Sequence, residues 1–85
     1  MKIYYSAKFA KEYKKLSQKV KLQAEKKESV FRKNPRQASL KTHKLTGKLK
    51  DFWAFSVDYK YRIIFEFREK DVIWFHSVGT HEIYK

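Results

Sequence analysis

The sequence predicts an α+β fold in which two N-terminal helices pack on one face of a small, mainly antiparallel β-sheet, in the order β-α-α-β-β-β. Apolar residues recur with a helical repeat in residues 6–33, whereas residues 52–78 contain strand-like runs of alternating apolar residues. The links between the later strands are short, which favours antiparallel pairing. A chain of 85 residues predicts one domain with a modest core.

The N-terminal part predicts a short strand followed by a helical hairpin. Residues 2–5 are a β-prone run, and Ser6 and Ser17 are each placed to cap the start of a helix. The Asn34-Pro35 pair ends the second helix, because proline disfavours helical geometry in the residue before it. Each helix carries one apolar stripe, formed by Phe9, Tyr13 and Leu16 in the first and by Val20, Ala24, Lys27 and Phe31 in the second.

The C-terminal part predicts the sheet. We interpret residues 35–44 as a polar, basic surface loop and residues 45–49 as a short strand or turn around Gly47. The predicted strands are residues 52–57, 61–67 and 72–78, joined by turns at 58–60 and 68–71. In the central strand, Tyr61, Ile63, Phe65 and Phe67 share one face, and Arg62, Ile64 and Glu66 share the other.

Charge is distributed unevenly along the chain. The formal net charge is +12, and residues 1–50 carry 16 Lys and Arg against 3 Asp and Glu. Residues 51–85 carry 5 basic against 6 acidic residues and are almost neutral. This asymmetry predicts a polyanionic partner, which leaves RNA, DNA, an anionic membrane and an acidic protein as candidates.

Several classes of site are disfavoured by composition. The chain has no cysteine, so it forms neither disulfides nor thiolate metal sites, and its three histidines are not spaced as a zinc site. We therefore predict no metal and no small-molecule cofactor. No apolar run is long enough to span a bilayer and residues 1–15 show no secretory signal, which predicts a cytoplasmic protein. Among the candidate partners we predict RNA and an acidic protein and no membrane.

Three stretches of the sequence together resemble a known family. They are His43-Lys44-Leu45-Thr46-Gly47 with the aromatic run that follows, Tyr61-Arg62 before an aliphatic run, and Val78-Gly79-Thr80-His81 with Tyr84 shortly after. In order and spacing they resemble the RelE/ParE toxin superfamily of type II toxin–antitoxin systems, and they look most similar to the YoeB and YafQ branches. The resemblance covers essentially the whole chain, which implies a single RelE-like domain at residues 1–85.

The resemblance implies a ribosome-dependent mRNA endoribonuclease that inhibits translation and is neutralised by an acidic antitoxin. His43 corresponds to the catalytic Glu or His ahead of the leucine–glycine turn, and Arg62 to the arginine that contacts the scissile phosphate. His81 corresponds to the proton donor, and Tyr84 to the aromatic residue that holds a base. We expect the substrate backbone to meet basic side chains near this site, namely Lys44, Lys48, Lys50 and Lys60.

These residue types suit RNA cleavage through the 2′-hydroxyl without a metal. Histidine has an unperturbed pKa of about 6.5, so it can act as base or acid near neutral pH. Arginine keeps its proton and matches two phosphate oxygens with its planar fork.

Other interpretations of the same residues remain open at this level. His43 is also compatible with a plain surface residue, and Arg62 with a cross-strand ion pair to a residue such as Glu66. We interpret His76 as structural, because it alternates with Trp74 and Val78 on one sheet face, and we interpret both tryptophans as core aromatics. A ParE-like inhibitor of DNA gyrase without nuclease activity is the alternative function, and a non-toxic basic RNA-binding protein is a third.

Overall fold

The computed structural model describes the backbone of residues 1–84 and the side chains of residues 1–82. The helices and strands are β1 (Lys2–Tyr5), α1 (Ala7–Lys14), α2 (Gln18–Lys33), β2 (His43–Lys44), β3 (Trp53–Ser56), β4 (Tyr61–Glu69) and β5 (Val72–Thr80). Short 3-10 segments occupy Ala38–Leu40, Gly47–Leu49 and His81–Tyr84. Neither helix in this part of the chain is long and apolar enough to cross a membrane.

Both helices begin at the predicted capping residues. The hydroxyl oxygens of Ser6 and Ser17 each accept a hydrogen bond from the backbone N–H three residues later, at 2.9 and 3.3 Å. These bonds satisfy N–H groups that the first helical turn leaves without a partner. The second helix ends at Lys33, immediately before the Asn34-Pro35 pair, as predicted.

The strands form one five-stranded sheet with the spatial order β1-β5-β4-β3-β2. β1 runs parallel to β5, and the other three pairs are antiparallel. The chain leaves β1 at one edge, passes through both helices, and returns to build the sheet from the other edge. The predicted α+β fold, with helices on a mainly antiparallel sheet, is confirmed.

The strand β2 was not predicted, because residues 35–44 were expected to form a loop throughout. His43 and Lys44 instead pair with Ala54 and Trp53 and make the outer edge of the sheet. Two residues are too few to show the alternation of apolar and polar side chains that identifies a strand. The prediction of an unbroken loop was wrong at this point.

The core lies between the helices and one face of the sheet, and Phe31 of α2 is at its centre. The Phe31 ring is fully buried, stacks on Phe55 with a centroid distance of 4.8 Å, and meets Phe65 and Phe75 edge-on at 4.9 and 5.6 Å. Aromatic pairs in these arrangements add to the free energy gained from burial. One residue therefore joins α2 to three neighbouring strands.

An irregularity in β5 changes which side chains share a face. Phe75 pairs with Phe65 and Ser77 pairs with Ile64, so His76 is an extra residue without a direct partner on β4. Such a bulge interrupts the strict alternation of faces. Val78 consequently belongs to the core on the helix side, and the prediction that His76, Trp74 and Val78 share one face was wrong for Val78.

The face opposite the helices is called the open face below. Its central residues, Ala54 and Ile64, are nevertheless buried. Leu49 and Phe52, from the turn before β3, line a pocket of about 280 Å³ over Ile64, and the Phe52 ring contacts His76 edge-on at 4.8 Å. The turn therefore covers the middle of this face and leaves its ends accessible.

Candidate functional site

Two rows of directly opposed residues cross the open face near one end of the sheet. The rows are His43–Ala54–Ile64–Ser77 and Ser56–Arg62–Gly79. Opposed residues in neighbouring strands point to the same side of a sheet, so His43 and Arg62 both leave it on the open face. With strands about 4.8 Å apart and a rise of about 3.3 Å per residue, their Cα atoms are about 12 Å apart.

The guanidinium group of Arg62 is held in place by its own hairpin. Its Nη1 donates to the backbone oxygens of Asp58 and Tyr61, at 2.6 and 3.0 Å. The Asp58 carboxylate accepts from the backbone N–H groups of Lys60 and Tyr61, at 2.8 and 2.7 Å, and it makes no ion pair with Arg62. The positive charge of Arg62 is therefore oriented by neutral carbonyl groups and stays available to an anion.

Arg62 is not part of a cross-strand ion pair with Glu66, which was the alternative interpretation. Glu66 Oε1 instead accepts hydrogen bonds from Arg68 Nε at 2.8 Å and from His76 Nε2 at 3.0 Å. The hydrogen bond from Arg68 is the main reason why the pKa of Glu66 is lowered. Burial acts in the opposite direction and raises this pKa, and the hydrogen bond from His76 lowers it further. The structural role predicted for His76 agrees with this contact.

His43 is exposed on the edge strand, and one of its ring nitrogens is occupied. Nδ1 lies 2.9 Å from the backbone oxygen of Lys41. A carbonyl oxygen only accepts hydrogen bonds, so Nδ1 carries the proton and the lone pair of the neutral ring is on Nε2. The ring is thus oriented with its basic nitrogen away from the backbone.

His81 begins the last 3-10 segment and is exposed. It follows Gly79, which lies opposite Arg62, by two residues, so it lies just past the end of β5 that is next to Arg62. The fold therefore places His81 on the β5 side of Arg62 and His43 on the β2 side. The backbone of Tyr84 closes the same segment, but its side chain lies outside the described residues, so its role stays a prediction.

The four lysines predicted to contact the substrate backbone are all exposed. Lys60 is in the hairpin turn beside Arg62, and Lys48 and Lys50 are in the turn that covers the open face. Lys44 is opposite Trp53, so its Cβ leaves the sheet on the helix side rather than with His43. Lys60 is thus the member of the set placed nearest to the Arg62 end of the sheet.

Metal binding has no ready set of ligands in this region. Among the residues that the structure describes, no group of three or more His, Asp or Glu side chains is placed to hold a metal ion.

Sequence reasoning missed two residues that the structure brings to Arg62. Lys27 and Lys41 line a pocket of about 210 Å³ together with Arg62. Lys27 was assigned to the apolar stripe of α2, and Lys41 to a surface loop. For Lys41 the sequence offered one signal: it comes two residues before His43, and residues two apart in an extended segment point to the same side. For Lys27 it offered none.

Comparisons with known proteins were made on sequence and on structure. No protein-family model matches the chain, and no curated protein sequence matches it. Among solved structures, YafQ from E. coli strain BL21(DE3) superposes with a TM-score of 0.78 at 24% identity, over 96% of this chain and 94% of that chain. The YoeB/ParE toxin from Agrobacterium tumefaciens superposes with a TM-score of 0.79 at 12% identity, over 95% and 99%.

The chain has the RelE/ParE toxin fold. YoeB in its complex with YefM from Staphylococcus aureus also matches, with a TM-score of 0.76 at 16% identity, over 95% of this chain and 97% of that chain. The resemblance noted in the three sequence motifs is therefore confirmed at the level of the fold, which this chain shares with YafQ and YoeB. Within this fold, Arg62 lies on the open face, with His43 on the β2 side of it and His81 just past the end of β5 on the other side.

Proposed function

We propose that this protein is the toxin of a type II toxin–antitoxin system and that it acts in the cytoplasm as a ribosome-dependent mRNA endoribonuclease. The observation that carries the proposal is the position of Arg62 on the open face, without an ion pair among the described residues and with an exposed histidine on either side. The RelE/ParE fold shared with YafQ and YoeB supports the same assignment.

The proposed reaction uses the RNA's own 2′-hydroxyl as the nucleophile. Nε2 of His43 removes the hydroxyl proton, the oxygen attacks the adjacent phosphorus, and the bond from phosphorus to the 5′-oxygen breaks. His81 gives its proton to the departing 5′-oxygen, and Arg62 stabilises the charge that builds up on the phosphate oxygens. The products are a 2′,3′-cyclic phosphate and a free 5′-hydroxyl, and no step uses a metal ion.

The proposal is tested by in-vitro translation with the purified protein, with mRNA cleavage mapped by primer extension. We expect Arg62→Ala to lower the single-turnover cleavage rate by about 10²-fold or more, since it removes a cation from the transition state. We expect His81→Gln and His43→Gln each to lower it by about 10²- to 10⁴-fold, the usual contribution of a general acid or base.

Matched controls come from the other end of the same sheet face. Arg68→Ala removes an exposed arginine from β4, and His76→Gln removes a histidine from β5, yet neither residue adjoins Arg62. Both controls should cleave like the wild type. If Arg62→Ala and His81→Gln cleave as fast as these controls, the catalytic assignment is wrong. Gyrase inhibition in a supercoiling assay, with mRNA left intact, would establish the ParE-like alternative instead.

The proposed partner is an acidic antitoxin. YafQ and YoeB have been solved in toxin–antitoxin complexes, with DinJ from E. coli and with YefM from Staphylococcus aureus. In this chain the net charge of +13 over residues 1–50 is complementary to an acidic polypeptide. Co-expression with such a partner should relieve the growth arrest that expression of the wild-type protein alone is expected to cause.

A further inference from the structure

The pocket beside Arg62 is enclosed by cationic side chains from three separate parts of the chain. Arg62 comes from β4, Lys27 from α2, and Lys41 from the turn before β2, and together they line about 210 Å³. Ser39 and Ser56 line the same space and could offer hydroxyl donors to it. Cations and hydroxyl donors arranged around a small cavity are the groups that bind a phosphate.

The sheet register explains how Lys41 reaches this pocket. His43 is opposite Ala54, and Lys41 comes two residues before it, so Lys41 lies at the end of β2 next to Ser56, which lines the same pocket. Lys41 has a left-handed backbone conformation with φ of 52°, which is uncommon for a residue other than glycine.

Lys27 reaches the pocket from the helix layer. Its ammonium group donates to the backbone oxygen of Ser39 at 3.4 Å, which places the charge at the edge of the sheet beside the short strand β2. This is the one hydrogen bond of the Lys27 ammonium group among the described residues, so two of its three N–H donors can bind a ligand.

One carboxylate also lines the pocket, and it is already occupied. Asp58 Oδ1 accepts two backbone hydrogen bonds within the hairpin, and no ion pair joins this group to Lys27, Lys41 or Arg62. Three cations against one carboxylate leave the pocket with a net positive charge. The pocket therefore favours an anion and has room for a group of phosphate size.

We propose that Lys27 and Lys41, with the hydroxyl groups of Ser39 and Ser56, complete with Arg62 a binding site for a backbone phosphate of the RNA strand. The proposal rests on the function proposed above and adds two phosphate-binding residues to it. Lys27 and Lys41 are on the His43 side of Arg62, so the strand segment that carries the attacking 2′-hydroxyl is held against β2 and α2.

The test measures binding of a short, fluorescently labelled 2′-O-methyl RNA, which is not cleaved because the nucleophile is blocked. We expect Lys27→Ala and Lys41→Gly each to weaken binding about tenfold, as the loss of a charge-assisted hydrogen bond implies. The matched controls are Lys26→Ala on the exposed side of α2 and Lys70→Gly in the turn at the other end of β4. They carry the same change of charge and should weaken binding less than about twofold.

Lys41→Gly separates loss of binding from loss of folding. Glycine adopts a φ of 52° freely, so this variant should keep or raise the urea midpoint while its RNA affinity falls. If Lys41 had only a structural role, the RNA affinity would not fall while the urea midpoint stayed the same or rose. If all four variants lose affinity equally, the lysines of the pocket act only through net charge and the proposal is wrong.

A second measurement identifies the phosphate itself. Replacing single phosphates of the RNA by uncharged methylphosphonates should, at one position, abolish the effect of Lys41→Gly, because the two changes then remove the same contact. If every position shows the full effect of Lys41→Gly, no specific phosphate occupies the pocket. If the wild type binds RNA through this pocket but leaves translated mRNA uncut, the proposed function fails and this site stands. If both pocket variants bind RNA and cleave mRNA like the wild type, this site fails and the proposed function stands.

Discussion

At the scale of single residues, the candidate site depends on which atoms of Arg62 and His43 are already engaged. Arg62 commits one nitrogen to two backbone oxygens, and His43 commits Nδ1 to a third. These bonds restrict the side chains without neutralising them, since carbonyl groups carry no net charge. Such orientation lowers the entropy lost when a substrate is bound.

Glu66 provides a prediction about pH at the same scale. Its pKa is below the ordinary value of 4.5, chiefly because Arg68 Nε donates to its carboxylate, so the folded state favours the charged form. The resulting stability is present above pH 4.5 and is lost as the pH falls from there through the lower pKa of the folded state. Glu66→Gln should therefore lose less stability than the wild type over this acidic window.

The measurement is the free energy of urea unfolding at neutral pH and at several values below 4.5. The expected difference between wild type and Glu66→Gln is about 1 kcal/mol or less, since the pair is partly exposed and screened by solvent. Glu69→Gln, which removes a neighbouring charge from the same strand, is the control. Parallel pH profiles for wild type and Glu66→Gln would exclude this role.

At the scale of elements, the packing of α1 completes the outer edge of β5. β1 pairs with β5 only as far as Phe75, and beyond it the described residues provide no neighbouring strand on that side of β5. Glu12 of α1 takes the place of a strand there: its Oε1 accepts from the N–H of Val78 at 3.1 Å and from the hydroxyl of Ser77 at 2.8 Å. A helix thus protects a sheet edge that would otherwise expose unpaired backbone groups.

We expect Glu12→Ala to lower the free energy of unfolding by about 1–3 kcal/mol, because it leaves the Val78 N–H and the buried Ser77 hydroxyl without their acceptor. Urea unfolding followed by circular dichroism gives the value. Glu25→Ala is a suitable comparison, since Glu25 is exposed on α2 and accepts only from the Tyr13 hydroxyl at 3.3 Å. Equal effects of the two substitutions would show that the β5 edge does not need Glu12.

At the scale of the whole molecule, charge opposes folding. A net charge of +12 on 85 residues is concentrated in the helices and the loop that follows them, while the sheet is almost neutral. Self-repulsion of this kind destabilises the compact state, and salt screens it over a Debye length of about 10 Å at 0.1 M. The same charge is complementary to RNA and to an acidic protein, which are the partners proposed above.

The free energy of unfolding should therefore rise between low salt and a few tenths molar sodium chloride. A variant with Lys11, Lys19 and Lys26 changed to Glu has a net charge of +6 and should gain less from the same salt. Thermal unfolding at matched salt concentrations measures both. An equal gain in the two proteins would indicate a general salt effect rather than relief of repulsion.

The sequence alone determined the features that depend on neighbouring residues. The capping serines, the stop at Asn34-Pro35 and the alternation of faces in β4 all follow from interactions within a few positions. One of these local features is that Arg62 lies on the face of β4 that does not carry Ile63 and Phe65. The three motifs were enough to predict the RelE/ParE fold because their order and spacing, which resemble those of a known family, can be read directly from the chain.

Only the tertiary structure decided which distant residues meet. Nothing in residues 2–5 shows that β1 runs parallel to β5, and a two-residue strand such as β2 has no pattern to detect. The bulge at His76 and the approach of Lys27 and Lys41 to Arg62 likewise result from pairings between segments far apart in the chain. The sequence thus predicted Arg62 and the two histidines as site residues, whereas packing decided which cations surround the arginine, because the free energy of such contacts depends on the whole fold.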